Sequence, residues 1–251
     1  VEIGNLPERV LTDQAFEGFT REQLQAAAKS VTDQYKGLEI LLTDPARCRS
    51  LMRVEIDRKK TDGERLILAS ILCILGDSSH ASVLEKAIRE YEKWDAGWHY
   101  TGMGQFGSCL SRLDALIMAL GNARKAATLP AILEKAALLQ PENTFSHFRS
   151  ISLATEAIGS QKAIKQLADL LSTPGIRHHS LLDYTEARAS VVPGTDDTST
   201  RNAALKELHL ARALYRCGDQ NGMAREVLER YAHGLQGHYA RYAYEVLNDK
   251  R

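Results

Sequence analysis

Four glycines, Gly76, Gly121, Gly159 and Gly218, recur inside the same apolar frame, and this repeat limits what the chain can fold into. Eight residues before each stands Leu68, Leu113, Ile151 or Leu210. Five before stands Ile71, Leu116, Ala154 or Ala213, and one before stands Leu75, Leu120, Ile158 or Cys217. Positions related as i, i+3 and i+7 share one stripe of an α-helix. The residue after each glycine, Asp77, Asn122, Ser160 or Asp219, is of a type that caps helix N-termini. Each block therefore predicts a helix, a glycine stop, an N-cap and a second helix. Apolar residues return in the second helix at Ala81, Leu84 and Ile88, at Ala126, Leu129 and Leu133, and at Ile164, Leu167 and Leu171. The fourth copy is shifted by one, through Met223, Val227 and Tyr231. The pattern predicts an all-α chain, an α-α superhelix or HEAT-like α-solenoid of about four to five helical hairpins.

Residues 1–19 carry no period and read as an irregular arm or linker; residues 20–251 read as the solenoid domain. Thr20 and Gln23 form a capping-box pattern that opens a helix through about Asp33. Leu38 to Leu42 predicts a second short helix, and Pro45 suits the first turn of a third that runs past Met52. Successive repeat glycines lie 45, 38 and 59 residues apart (76 to 121, 121 to 159, 159 to 218). HEAT units take about 40–47 residues, so the first interval carries a modest insertion at 93–107 and the last a long one at about 173–200. A final helix is predicted from about Gly237 to Leu247, and no segment reads as a strand.

Lys and Arg number 32 against 32 Asp and Glu, so no overall field recruits nucleic acid. The longest strongly apolar run, Leu66 to Leu75, is too short for a transmembrane segment. The chain opens on Val1 without a basic and apolar leader, which suggests an excised domain. Cys48, Cys73, Cys109 and Cys217 form neither a CxxC pair nor a zinc spacing, and Cys73 and Cys217 read as small buried hydrophobes.

Gly102-Met103-Gly104-Gln105-Phe106-Gly107 spells G-x-G-x-x-G, but a dinucleotide fingerprint needs a hydrophobic strand before it and a second strand after it. The preceding Trp94 to Thr101 is no buried strand, and helices in repeat register follow. The eight histidines include no H-E-x-x-H pair, and the adjacent His178 and His179 do not share a helix face. Arg212, Arg216, Arg225 and Arg241 read as a salt-bridged face neutralised by Glu207, Asp219, Glu226 and Glu229. Ser146, His147 and Asp114 have the composition of a hydrolase triad without its spacing. The segment from Lys93 to Gly107 holds both tryptophans and four glycines and precedes a helix N-terminus, where backbone approaches ligands closely and anions are favoured. Trp98, Tyr100 and Gln105, with His147 and Arg149 from the start of the next unit's helix, make the candidate recognition surface. Its alternative role is to cover the core.

The run Gly97 to Gly107, followed by Ser111-Arg112-Leu113-Asp114-Ala115-Leu116-Ile117, resembles the helical C-terminal region of bacterial FAD-dependent oxidoreductase-family proteins. Leu133-Glu134-Lys135-Ala136, Phe145-Ser146-His147-Phe148-Arg149, Leu208 to Asp219 and Gly237-His238-Tyr239-Ala240-Arg241 are similar to it again, so the likeness covers roughly residues 60–250. In that family the flavin belongs to a preceding domain that nothing here resembles. The resemblance therefore implies a non-catalytic interaction or scaffold domain with no cofactor of its own. Its partner would be an FAD-dependent oxidoreductase domain in cis or another protein, in a periplasmic or extracellular setting. The alternative is a stand-alone enzyme or ligand-binding protein that uses the 93–107 loop with His147 or Arg149.

Overall fold

The computed structural model describes residues 18–96, 110–190 and 199–249, and among these every regular element is a helix. In chain order they are α1 (Arg21–Ser30), α2 (Leu38–Leu41), α3 (Pro45–Arg58), α4 (Asp62–Ile74), α5 (Ala81–Arg89), α6 (Arg112–Asn122), α7 (Leu129–Ala136), α8 (Phe145–Ile158), α9 (Ile164–Leu171), α10 (Tyr184–Ala189), α11 (Ser199–Cys217), α12 (Met223–Ala232) and α13 (Gly237–Asn248). Several N-termini follow from sequence. Thr20 and Gln23 make the reciprocal capping box of α1, and Ser111 with Asp114 makes that of α6. Pro45 opens α3 behind the Asp44 cap.

The helices pack in two series. α3 lies on α4, α4 on α6, α6 on α8 and α8 on α11; α5 lies on α7 and α7 on α9, while α12 joins α11 and α13. The residues five and eight before each repeat glycine are all buried, from Leu68 and Ile71 through Leu210 and Ala213. They form the buried stripe of each first helix. In the second helices Leu84, Ile88, Leu129, Leu167, Leu171, Val227 and Tyr231 are buried as the frame predicts, whereas Ala126 lies in a 3-10 turn and is exposed.

The repeat glycines do not all do the same work. Gly76, Gly159 and Gly218 have φ of 78°, 64° and 125°, conformations that L side chains resist, and each ends its helix. Gly121 instead lies inside α6, and Arg124 takes the left-handed turn at φ 51°. A Cβ on Gly121 would overlap the Ala154 Cα and lie 2.6 Å from its Cβ, so this glycine serves the close approach of α6 and α8. The following polar residues also diverge. Asp219 accepts from the backbone of Gln220, Ala224 and Arg225 and so caps α12, and Ser160 accepts from Lys162 N. Asp77 holds a turn through Ser79 N, and Asn122 is still helical.

Candidate functional site

The most developed polar cluster lies where the N-termini of α6 and α8 meet, beside the chain leaving α5. Asp114 is fully buried at the third position of α6. Its carboxylate accepts from Ser111 N at 3.0 Å, from Ser150 Oγ at 2.9 Å, and from His147 Nδ1 at 2.9 and 3.0 Å to its two oxygens. His147 is buried as well, and the Trp94 ring stacks on it with centroids 4.4 Å apart and planes 26° from parallel. Trp94 is fixed in turn by its indole N–H, which donates to the Lys135 carbonyl at 3.1 Å. The buried Lys135 ammonium donates to the carbonyls of Tyr91 and Arg89, the open C-terminal end of α5. Next along, the Asp95 carboxylate accepts from Arg112 N and Leu113 N at the open start of α6. Residues 91–96 and 110–114 are thus pinned to the same helix ends, and both borders of segment 97–109 are anchored.

Burial pushes the Asp114 carboxyl up, but the bonds from His147, Ser111 and Ser146, with the His147 charge, outweigh it and hold its pKa below the ordinary value. A carboxylate so depressed stabilises the fold above its unfolded pKa of about 3.9, and that contribution is lost as pH falls through the lower folded value. The arrangement has a buried acid orienting an imidazole through Nδ1, as in hydrolase triads. However, Ser150 bonds to the acid and to the His147 carbonyl, not to the far imidazole nitrogen where a nucleophile would stand. The dyad therefore joins α6 to α8 and positions the His147–Trp94 stack.

Of the residues singled out from sequence, Trp98, Tyr100 and Gln105 lie outside the described residues, as do the G-x-G-x-x-G run and Cys109. His147 is buried in the dyad and Arg149, two residues on, is exposed. Sequence reading passed over Trp94, Asp95 and Lys135 as individual actors. The Trp94 pairing spans 41 residues to Lys135, and no local pattern encodes it. Cys73 and Cys217 are buried free thiols, with burial pushing their pKa values up to about 12 and about 11.

The arginine face is neutralised only in part as the sequence predicts: Arg225 pairs with Glu229 at 3.9 Å, whereas Arg241 pairs with Glu245 at 3.1 Å. Arg212 and Arg216 both pair with Glu156 of α8, and Arg216 also reaches Asp249 at 2.7 Å. Glu207 turns inward instead. Its carboxylate accepts from His178 N at 3.0 Å, His179 N at 2.9 Å and the Tyr231 hydroxyl at 2.9 Å, tying the 173–183 connection to α11 and α12. The paired histidines act here through their backbone.

Among the described residues no group of three or more His, Cys, Asp or Glu side chains could hold a metal ion, and no helix is long and apolar enough to cross a membrane. No protein-family model, curated protein or solved structure matches the chain.

Proposed function

We propose that the chain is a HEAT-like α-solenoid of about four to five hairpins that serves as a non-catalytic interaction domain, working with an FAD-dependent oxidoreductase whose flavin lies outside this chain. The serial packing of α4 on α6, α6 on α8 and α8 on α11, with the same frame positions buried in each helix, carries the reading. Such arrays offer long side surfaces to partners. The Asp114–His147 dyad is consistent with it, because its bonds are spent holding helices together. In this reading Trp98, Tyr100 and Gln105, which lie outside the described residues, belong to the recognition surface together with the exposed Arg149 and the buried His147. The link to a flavoenzyme rests on the sequence resemblance.

Two measurements test this. The purified chain should be colourless near 450 nm, and calorimetric titration with FAD or NAD should show no saturable binding in the low micromolar range. A yellow protein, or stoichiometric nucleotide binding, would return the chain to the enzymes. Mixing it with the flavin domain of an oxidoreductase from the family it resembles should give a complex on gel filtration, weakened by Trp98→Ala without a change in melting temperature.

A further inference from the structure

His209 stands on α11 where α8 and α13 each bring a ring against it. It meets the Phe145 ring of α8 edge-on, with centroids 5.2 Å apart, and the Tyr242 ring of α13 at 6.0 Å. Its Nδ1 is buried and has no hydrogen-bond partner among the described residues. A neutral imidazole can leave that nitrogen as a bare lone pair, with its proton on Nε2, whereas an imidazolium carries N–H on both nitrogens. Protonation therefore aims a charged donor where nothing accepts it, which is costly. The surrounding charge raises that cost. Arg212, one turn further along α11, lies over the Tyr242 ring with its Cζ 5.6 Å from the centroid and donates to the Tyr242 hydroxyl at 2.9 Å. From α8, Arg149 adds a second positive charge and Glu156 a negative one, but Glu156 is already shared by Arg212 and Arg216. From α13, the group against His209 is Tyr242; Asp249 pairs with Arg216 at 2.7 Å, Arg241 pairs with Glu245, and His238 lies on Tyr239. The charged side chains of α9 and α12, which also pack on α11, are engaged elsewhere: Lys165 with Asp169, Glu226 with Arg177, Arg225 with Glu229 and Arg230 with Ser180.

We propose that protonation of His209 undocks α13 from α11, so that this contact is a clasp that opens in mildly acidic solution. The proposal is independent of the interaction-domain reading. Of the two helices whose rings touch His209, α13 is the one that can yield. α8 packs extensively on α11 and is anchored by the buried Phe148, Ile151 and Ala154, whereas α13 packs mainly on α12 and only lightly on α11. Its links to α11 include the Tyr242 ring on His209, the Tyr242 hydroxyl on Arg212 and Asp249 on Arg216. Two of these three run through Tyr242, the side chain whose departure would let water reach the ring. Once undocked from a neighbour, a helix of 12 residues frays, because isolated helices of that length are marginal. The sign follows from the proton affinities. Burial, with Arg212 and Arg149 outweighing Glu156, holds the docked imidazole down to about 4, while a solvated one titrates near 6.5. The open form thus takes up the proton more readily, and opening grows as pH falls from about 6.5 to about 4 and levels off below.

Amide exchange followed by mass spectrometry on the full chain at pH 7 and pH 5, with rates corrected for the intrinsic pH dependence of exchange, reads this opening. Protection across 237–248 should fall about tenfold or more relative to 62–74 in the same molecule, as a proton affinity that differs this much between two forms allows. His209→Phe keeps an aromatic ring but has nothing to protonate. It should abolish the relative fall, although every other histidine remains. Arg149→Glu changes an exposed position and so should leave the fold intact. It replaces one of the charges that oppose the imidazolium and should cut the fall at least twofold. The proposal is overturned if protection falls equally in 237–248 and 62–74, if it stays level in both, if His209→Phe still opens α13 at pH 5, or if the folded Arg149→Glu chain opens as far as wild type. The last comparison decides the matter even where His209→Phe does not fold.

Discussion

Two imidazoles in this chain, the buried His147 and the half-buried His209, have opposite surroundings, and each leads to a different expectation. His147 has a carboxylate on Nδ1. Asp114→Ala would leave the Ser111 N–H and the His147 imidazole without their acceptor, and Ser150 with only the His147 carbonyl. Removing one member of such a buried pair costs about 3–5 kcal/mol, to be read from urea unfolding. A loss under about 1 kcal/mol would mean the network is not buried as described. His209 has no such partner. Its Nδ1 is buried without a hydrogen bond among the described residues, between the Phe145 and Tyr242 rings. Burial, with the positive charges of Arg212 and Arg149 outweighing Glu156, pushes its pKa down to about 4. An unfolded histidine titrates near 6.5. Between those values the unfolded chain holds a proton that the folded chain lacks, so stability falls as pH drops from about 6.5 to about 4 and levels off below. From pH 7 to pH 5 the loss should be about 1–2 kcal/mol. His209→Phe should remove that part of the slope; an unchanged slope would show that His209 is not held neutral. This differs in window from Asp114, whose contribution is lost only below about pH 3.9.

At the scale of elements, the frame around the repeat glycines was legible because burial in a helix repeats with the helix turn, and all eight frame positions five and eight residues before the glycines are buried. The glycines themselves were less legible. A glycine at the end of an apolar stripe looks the same whether it stops the helix or makes room for a neighbour, since the neighbour, Ala154 for Gly121, lies in another unit. The two roles can be separated by alanine. In a helix interior Gly→Ala ordinarily stabilises by up to about 1 kcal/mol. At Gly63, near the start of α4, nothing lies within 4 Å of the added Cβ, so Gly63→Ala should give that gain. At Gly121 the methyl meets backbone, which cannot swing aside as a long side chain would. Gly121→Ala should destabilise by about 1–3 kcal/mol or more as α6 and α8 are pushed apart. Thermal melts of the two variants should move in opposite directions; a stabilised Gly121→Ala would mean the helices are not in this contact. Glu207 escaped sequence reading for a related reason. Its partners lie 24 to 29 residues away, and nothing local distinguishes a carboxylate that caps a distant loop from one on a solvated face.

For the molecule as a whole, the all-helical content could be read from the sequence, whereas the polar cluster at Trp94, Asp114 and His147 required knowing which helix ends meet. The proposed solenoid makes a further claim that the list of helices does not, which is that stability is passed from neighbour to neighbour. α13 packs on α12 and more lightly on α11, and it has no comparable contact with α3 or α4. Its buried residues are Tyr239, Ala243 and Val246. Val246→Asp places a carboxylate in that contact and should release α13 and loosen α12. In a nearest-neighbour array the effect fades with distance, so amide exchange followed by mass spectrometry should accelerate in 223–248, less in 199–217, and hardly at all in 45–74. A chain that unfolds as one cooperative block would behave differently, with exchange in α3 and α4 rising by the same factor as in α12. That uniform response, in a variant that keeps its helical circular dichroism, would rule out the solenoid while leaving every helix assignment in place.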